Sequence, residues 1–135
     1  MKKASEYYDR FSAGYDRRRD RGYHALLDEL ESDLVRHKLK GKRLLDAGCG
    51  TGLVFARLEK DFDRIIGVDL SGGMLRRALS RGQTAIQADL AALPFRDDSF
   101  DGLFSFKVLA HVPRLEEALD EFRRVVRPGG RMVLE

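Results

Sequence analysis

Short apolar runs alternate with stretches of helical periodicity along this chain. Five runs have strand length: Arg43-Leu44-Leu45, Ile65-Ile66-Gly67-Val68, Thr84-Ala85-Ile86, the segment from Phe100 to Phe106, and Arg131-Met132-Val133-Leu134. Their hydrophobic centres suit a buried, mostly parallel sheet, whose strands are covered on both faces. Tyr23, Leu26, Leu27, Leu30 and Leu34 fall on one face of a helix, with Gly41 in the turn beyond it. Leu115, Ala118, Leu119, Phe122, Val125 and Val126 make a second stripe, which Pro128-Gly129-Gly130 should stop sharply. Shorter helices fit 52–60 and 72–80. The order is helix, strand, helix, strand, helix, strand, strand, helix, strand. Strands separated by helices imply right-handed crossovers and a doubly wound, Rossmann-like α/β fold.

The polar residues that interrupt this pattern gather at strand ends. Asp46-Ala47-Gly48-Cys49-Gly50-Thr51-Gly52 follows the first strand and opens a helix. Glycines there permit a tight turn, let backbone approach a ligand, and allow close helix packing. The helix start beyond presents free N–H groups to a polar ligand. Asp69 ends the second strand, 23 residues after Asp46, where a carboxylate can accept from both hydroxyls of an adenosine ribose. Asp89 ends the third strand and precedes Leu90, an acceptor beside an apolar residue that suits an adenine ring. Three acids at successive strand ends converge on one crevice.

In these motifs the sequence resembles the class I S-adenosylmethionine-dependent methyltransferases, notably the small-molecule branch containing the ubiquinone and menaquinone biosynthesis C-methyltransferases. Leu44 to Gly52 is similar to that family's first motif, Gly67-Val68-Asp69-Leu70-Ser71 to its second, and Ala88-Asp89-Leu90 through Leu93-Pro94-Phe95 to its third. Ser99-Phe100-Asp101 and the run from Arg124 to Gly130 match the stretches around its fourth and fifth strands. The resemblance spans about residues 40–135. It implies that Asp46, Ala47 and the turn Gly48, Cys49, Gly50, Gly52 line the methionine part of S-adenosylmethionine. Asp69 would hold the ribose hydroxyls, Asp89 and Leu90 the adenine, Ser105 and Phe106 would face the sulfonium region, and Leu70 is a further donor-binding residue. S-adenosylhomocysteine would be the product of this transferase chemistry.

Residues 1–40 are expected to form a helical cap and 41–135 the donor-binding core of a single domain. Tyr7, Tyr8, Phe11 and Tyr15 have the spacing of a helical stripe, and Tyr15 is the donor contact expected from this segment. Arg17-Arg18-Arg19-Asp20-Arg21 could meet an anion, but the interrupting acid favours a solvated face. His111 follows the fourth strand and is the candidate general base for an acidic acceptor. A Ser-Phe-Lys-Val run after that strand replaces the Asn/Asp-Pro-Pro motif of enzymes that methylate amide or adenine nitrogens. Cys49 is not at a Pro-Cys site, which disfavours a cysteine adduct to cytosine. No Cys/His cluster suggests a metal.

Composition narrows this further. The chain has 135 residues, 43% hydrophobic and 35% charged, with 25 Lys and Arg against 22 Asp and Glu. A net charge of +3 does not argue for nucleic acid, no apolar run approaches ~20 residues, and one cysteine suits a reducing, cytoplasmic compartment. A small-molecule acceptor is the expected partner. The family's sheet has seven strands, so this chain reads as truncated after the fifth. That exposes an edge around Val133 through which the chain should self-associate. Rival readings are a non-catalytic module that keeps the donor, a nicotinamide-dependent dehydrogenase and an RNA methyltransferase.

Overall fold

In the computed structural model, which describes residues 22–50 and 52–135, the apolar runs form five strands. They are β1 (Arg43–Ala47), β2 (Arg64–Asp69), β3 (Thr84–Gln87), β4 (Phe100–Ser105) and β5 (Val126–Leu134). Every pairing is parallel, in the order β3-β2-β1-β4-β5. Helices α1 (Gly22–Lys38), α2 (Leu53–Leu58), α3 (Gly72–Ser80) and α4 (Leu115–Val125) connect or flank them, with a 3-10 turn at Leu109–His111. The chain steps outward from β1 through β3, returns to β4 beside β1, then steps outward the other way to β5. The order therefore reverses between β1 and β4, and the crevice beyond their carboxyl ends is where ligands bind in open α/β sheets.

Strand periodicity divides the core. Leu44 and Phe104 join Ile65 in a cluster with Val35, Leu39, Phe55 and Leu58. Leu45 and Leu103 point the opposite way, into a cluster with Val68, Phe100, Leu90, Leu93 and the α4 residues Ala118, Phe122 and Val125. Both faces of the sheet are thus covered, as a parallel sheet requires.

At the amino end, Asp101 joins three segments. Its carboxylate accepts from the backbone N–H groups of Lys42 (2.6 Å) and Arg43 (2.9 Å) and from Nε of Arg127 (2.7 Å). These donors hold its pKa down at about 2. Arg124 does similar work on the α4 side, donating to Glu121, Asp97 and the carbonyls of Leu93 and Phe95.

Two expectations need correction. The α1 helix forms, but the face carrying Tyr23, Leu26, Leu30 and Leu34 is the exposed one, at 70%, 57%, 55% and 42%. Asp28, Glu31, Ser32 and Val35 are buried instead. Polar anchors fix this rotation: Arg36 donates to the Arg57 carbonyl (2.7 Å) and to Asp61 (2.9 Å), and Lys107 meets Glu31 (2.8 Å). The second correction concerns α4, which stops at Val125, ahead of Pro128-Gly129-Gly130. Val126 is already extended and pairs with Phe100, and the register then jumps so that Gly102 opposes Arg131. The intervening residues bulge out of the ladder, a place where a proline lacking a donor is tolerated.

Candidate functional site

The site begins with the turn that leaves β1. Its backbone is tied to β2 by bonds from the N–H groups of Gly48 (2.7 Å) and Cys49 (2.9 Å) to the Val68 carbonyl. Gly48 has φ 84°, and a Cβ there would meet the Val108 side chain at 2.5 Å. Gly50 differs. At φ 56° it leaves nothing among the described residues within 4 Å of where a Cβ would stand. No described residue therefore crowds the backbone at this point of the turn, which allows a ligand to approach it.

Asp69, the last residue of β2, is pinned to the same turn. One carboxylate oxygen accepts from the Gly50 N–H (2.8 Å) and the other from the Ser71 N–H (2.9 Å). Ser71 in turn caps α3, its hydroxyl accepting from the Met74 N–H at 3.2 Å. Asp89 lies two residues past the end of β3, in the following loop, and accepts from the Ala91 N–H at 2.9 Å. Leu90 is buried at 8% exposure within the core cluster on the α4 side.

Asp46 has a different environment. It is 4% exposed, and among the described residues its carboxylate has no hydrogen-bond partner. Burial first, then the charges of Asp69 and Glu31, push its pKa well above the ordinary carboxylate value. Burial likewise raises the Cys49 thiol, with Asp46 and Asp69 adding to the effect. These effects favour the thiol over the thiolate at Cys49.

A family match described as "Methyltransferase domain" covers residues 45–134, from β1 to the end of β5. The chain belongs to this family. It is 34% identical to a demethylmenaquinone methyltransferase of Clavibacter sepedonicus, over 96% of this chain and 56% of that protein. It is 33% identical to a ubiquinone/menaquinone biosynthesis C-methyltransferase of Azotobacter vinelandii, over 98% and 58%. A solved S-adenosylmethionine-dependent methyltransferase from Thermotoga maritima superposes with a TM-score of 0.83 at 28% identity, covering 96% of this chain and 60% of that one. The chain thus spans little more than half the length of these two curated relatives.

Within this methyltransferase domain the predicted site residues separate. Asp46, Gly48, Cys49, Gly50, Gly52 and Asp69 come together at the switch point, with Ala47 fully buried beneath them. Leu70 follows Asp69, its carbonyl accepting from Gln87 Nε2 at 2.8 Å. Ser105 is fully buried and its hydroxyl donates to the Ala47 carbonyl (2.7 Å), which clamps the ends of β1 and β4. Phe106 is half-buried against Phe104, with ring centroids 5.8 Å apart. His111 sits exposed in the 3-10 turn. Tyr15, the aromatic stripe before it, the arginine run and Thr51 lie outside the described residues. Sequence reasoning missed Asp28, Glu31 and Lys107. The two acids look like solvent-facing helix residues until α1 is rotated, and Lys107 is 76 residues from Glu31.

Proposed function

We propose that this methyltransferase domain binds S-adenosylmethionine at the carboxyl ends of β1, β2 and β4 and transfers its methyl group to a small-molecule acceptor. The observation that carries the reading is the Asp69 carboxylate, locked between the Gly50 and Ser71 amides beside a turn where no described residue crowds Gly50. The residues fit the donor. Asp69 ends β2 as a carboxylate that ribose hydroxyls can donate to, Asp46 offers a buried carboxylate to the cationic end, and Asp89 lies in the loop beyond β3 for the adenine amine. When bound, the donor supplies an activated methyl carbon on a positively charged sulfur. The protein's part is to orient, exclude water and hold charges still. Alignment alone can lower a barrier by up to ~7–11 kcal/mol, so no nucleophilic side chain is required.

Ala47, Leu70, Leu90, Ser105, Phe106 and Tyr15 belong to this proposal as lining or supporting groups. His111 is its base for an acceptor that must lose a proton. The relatives named for quinone-precursor methylation support a small-molecule acceptor. Among the described residues no helix is long and apolar enough to cross a membrane. A cytoplasmic setting is proposed from the lone Cys49. β5 is an edge strand with Met132 and Leu134 partly exposed, and self-association through it is read by light scattering at rising concentration.

Calorimetric titration of the 135-residue chain with S-adenosylhomocysteine tests the donor reading. Saturable binding that Asp69→Ala weakens is expected. A folded chain that binds nothing would remove it, and binding without turnover on any acceptor pool would leave the non-catalytic module.

A further inference from the structure

The loop that joins α3 to β3 reaches the glycine turn across 31 residues of sequence. Gly82 closes α3 in the left-handed region, at φ 79°. The two bonds of a helix-ending turn follow, from the Gly82 N–H to the Leu79 carbonyl (2.9 Å) and from the Gln83 N–H to the Ala78 carbonyl (3.3 Å). Gln83 thus stands where such turns frequently pack an apolar side chain against the helix. It is buried, at 4% exposure, yet it carries an amide. Its Nε2 donates to the Gly52 carbonyl at 2.9 Å. Its Oε1 is buried without a hydrogen-bond partner among the described residues.

The fold itself requires neither polar atom. The Gly52 carbonyl already accepts the Ala56 N–H at 2.9 Å, so it is satisfied without the glutamine. An unpaired buried oxygen costs stability, and an apolar group of the same shape in its place is near neutral or stabilising. Gly52 is also shaped to this neighbour, since a Cβ there would collide with Gln83 Oε1. A residue that departs from the local rule and leaves an oxygen unpaired belongs to a site more than to a fold.

The turn shows what is gained. Its first part is fixed from β2, by Gly48 and Cys49 on the Val68 carbonyl and by Gly50 on Asp69. Gly52 lies beyond those bonds, and Gln83 holds it from the opposite side. A turn pinned at both ends offers its backbone to a ligand in one arrangement, and that preorganisation raises affinity without a new contact. We infer that Gln83 is a positioning residue of the donor pocket, fixing the Gly52 end of the turn against the amino-acid part of the bound nucleoside ligand. This rests on the donor reading above. Gln83 acts through the Gly52 carbonyl and not by touching the ligand.

The test is calorimetry on the 135-residue chain with S-adenosylmethionine, S-adenosylhomocysteine and 5′-methylthioadenosine, which lacks the amino-acid part. Gln83→Met keeps the length of the side chain and removes both polar atoms. It should weaken the first two ligands about three- to tenfold, the effect of one hydrogen bond, and leave methylthioadenosine within about twofold. Its urea midpoint should equal or exceed that of the wild type. Unchanged affinities for all three ligands would overturn the inference, and so would equal losses for all three. A lowered urea midpoint would make Gln83 a residue of the fold, with the same consequence. In each of these cases binding by the wild type leaves the donor reading standing, whereas wild-type chain that binds no probe would end both. If Gln83→Met does not fold, the Gln83 side-chain amide of the ¹⁵N-labelled wild type decides. Its resonances should move with S-adenosylhomocysteine and stay in place with methylthioadenosine. Equal movement with both, or none with either, would overturn the inference.

Discussion

Asp101 and Asp46 are the same residue type at opposite ends of one sheet, and they have opposite fates. Asp101, at the amino end, takes two backbone donors and an arginine, and its pKa falls to about 2. Asp46, at the carboxyl end, is more deeply buried, has no hydrogen-bond partner among the described residues, and has its pKa driven upward. Satisfied buried polar groups make a fold rigid, while unsatisfied ones cost stability. The amino end of this sheet is finished as structure. At the carboxyl end Asp69 and Ser105 are bonded too, and it is Asp46 that is left in the way expected of a site that a ligand completes.

Substitutions should separate the two ends. Asp101→Ala strips the partners from two amides and a guanidinium, and should cost about 2–3 kcal/mol in urea unfolding while sparing ligand affinity once refolded conditions are matched. Asp69→Ala should reduce S-adenosylhomocysteine affinity about tenfold to a hundredfold, the loss of one or two charge-assisted bonds, with a smaller change in stability. Asp46→Asn should do the reverse of Asp101→Ala. By relieving a buried charge it should stabilise the chain by about 1–2 kcal/mol at neutral pH while weakening ligand binding.

The pH dependence sharpens the same contrast. A depressed pKa means that Asp101 contributes stability that is complete above the ordinary carboxylate value and lost as pH falls toward about 2. A raised pKa gives Asp46 the opposite sign: stability is greatest below its unfolded value and declines as pH rises through the folded one. The advantage of Asp46→Asn should therefore shrink on acidification, which thermal melts at pH 4 and pH 7 would read. The smallest effect expected is on α1. Leu30→Lys should change stability by no more than about 0.5 kcal/mol, because Leu30 is exposed, whereas a core leucine would cost about 2–5 kcal/mol.

That last case marks where the sequence was readable. β1, β2 and β4 were visible because strands buried on both faces must be apolar throughout, and α4 because its stripe of Ala118, Phe122 and Val125 has one face to bury. The glycine turn and Asp69 were legible because a tight turn at positive φ and a carboxylate at a strand end leave residue-type signatures. The rotation of α1 was not. Its apolar residues lie on two faces, Leu26 and Leu30 on one and Val35 on another, and local periodicity cannot choose between them. The choice is made by Lys107 and Arg57, distant in sequence. Extension of β5 back to Val126 escaped for the same reason, since a proline and two glycines read as a stop unless the pairing with Phe100 is known.

The contrast between the two aspartates can be measured in one sample. Carboxyl-carbon NMR titration of the isotope-labelled chain should give Asp101 a midpoint near about 2 and Asp46 one well above the ordinary carboxylate value. Asp46 titrating at or below that value would mean that its charge is already compensated, and would contradict a carboxyl end kept open for a ligand.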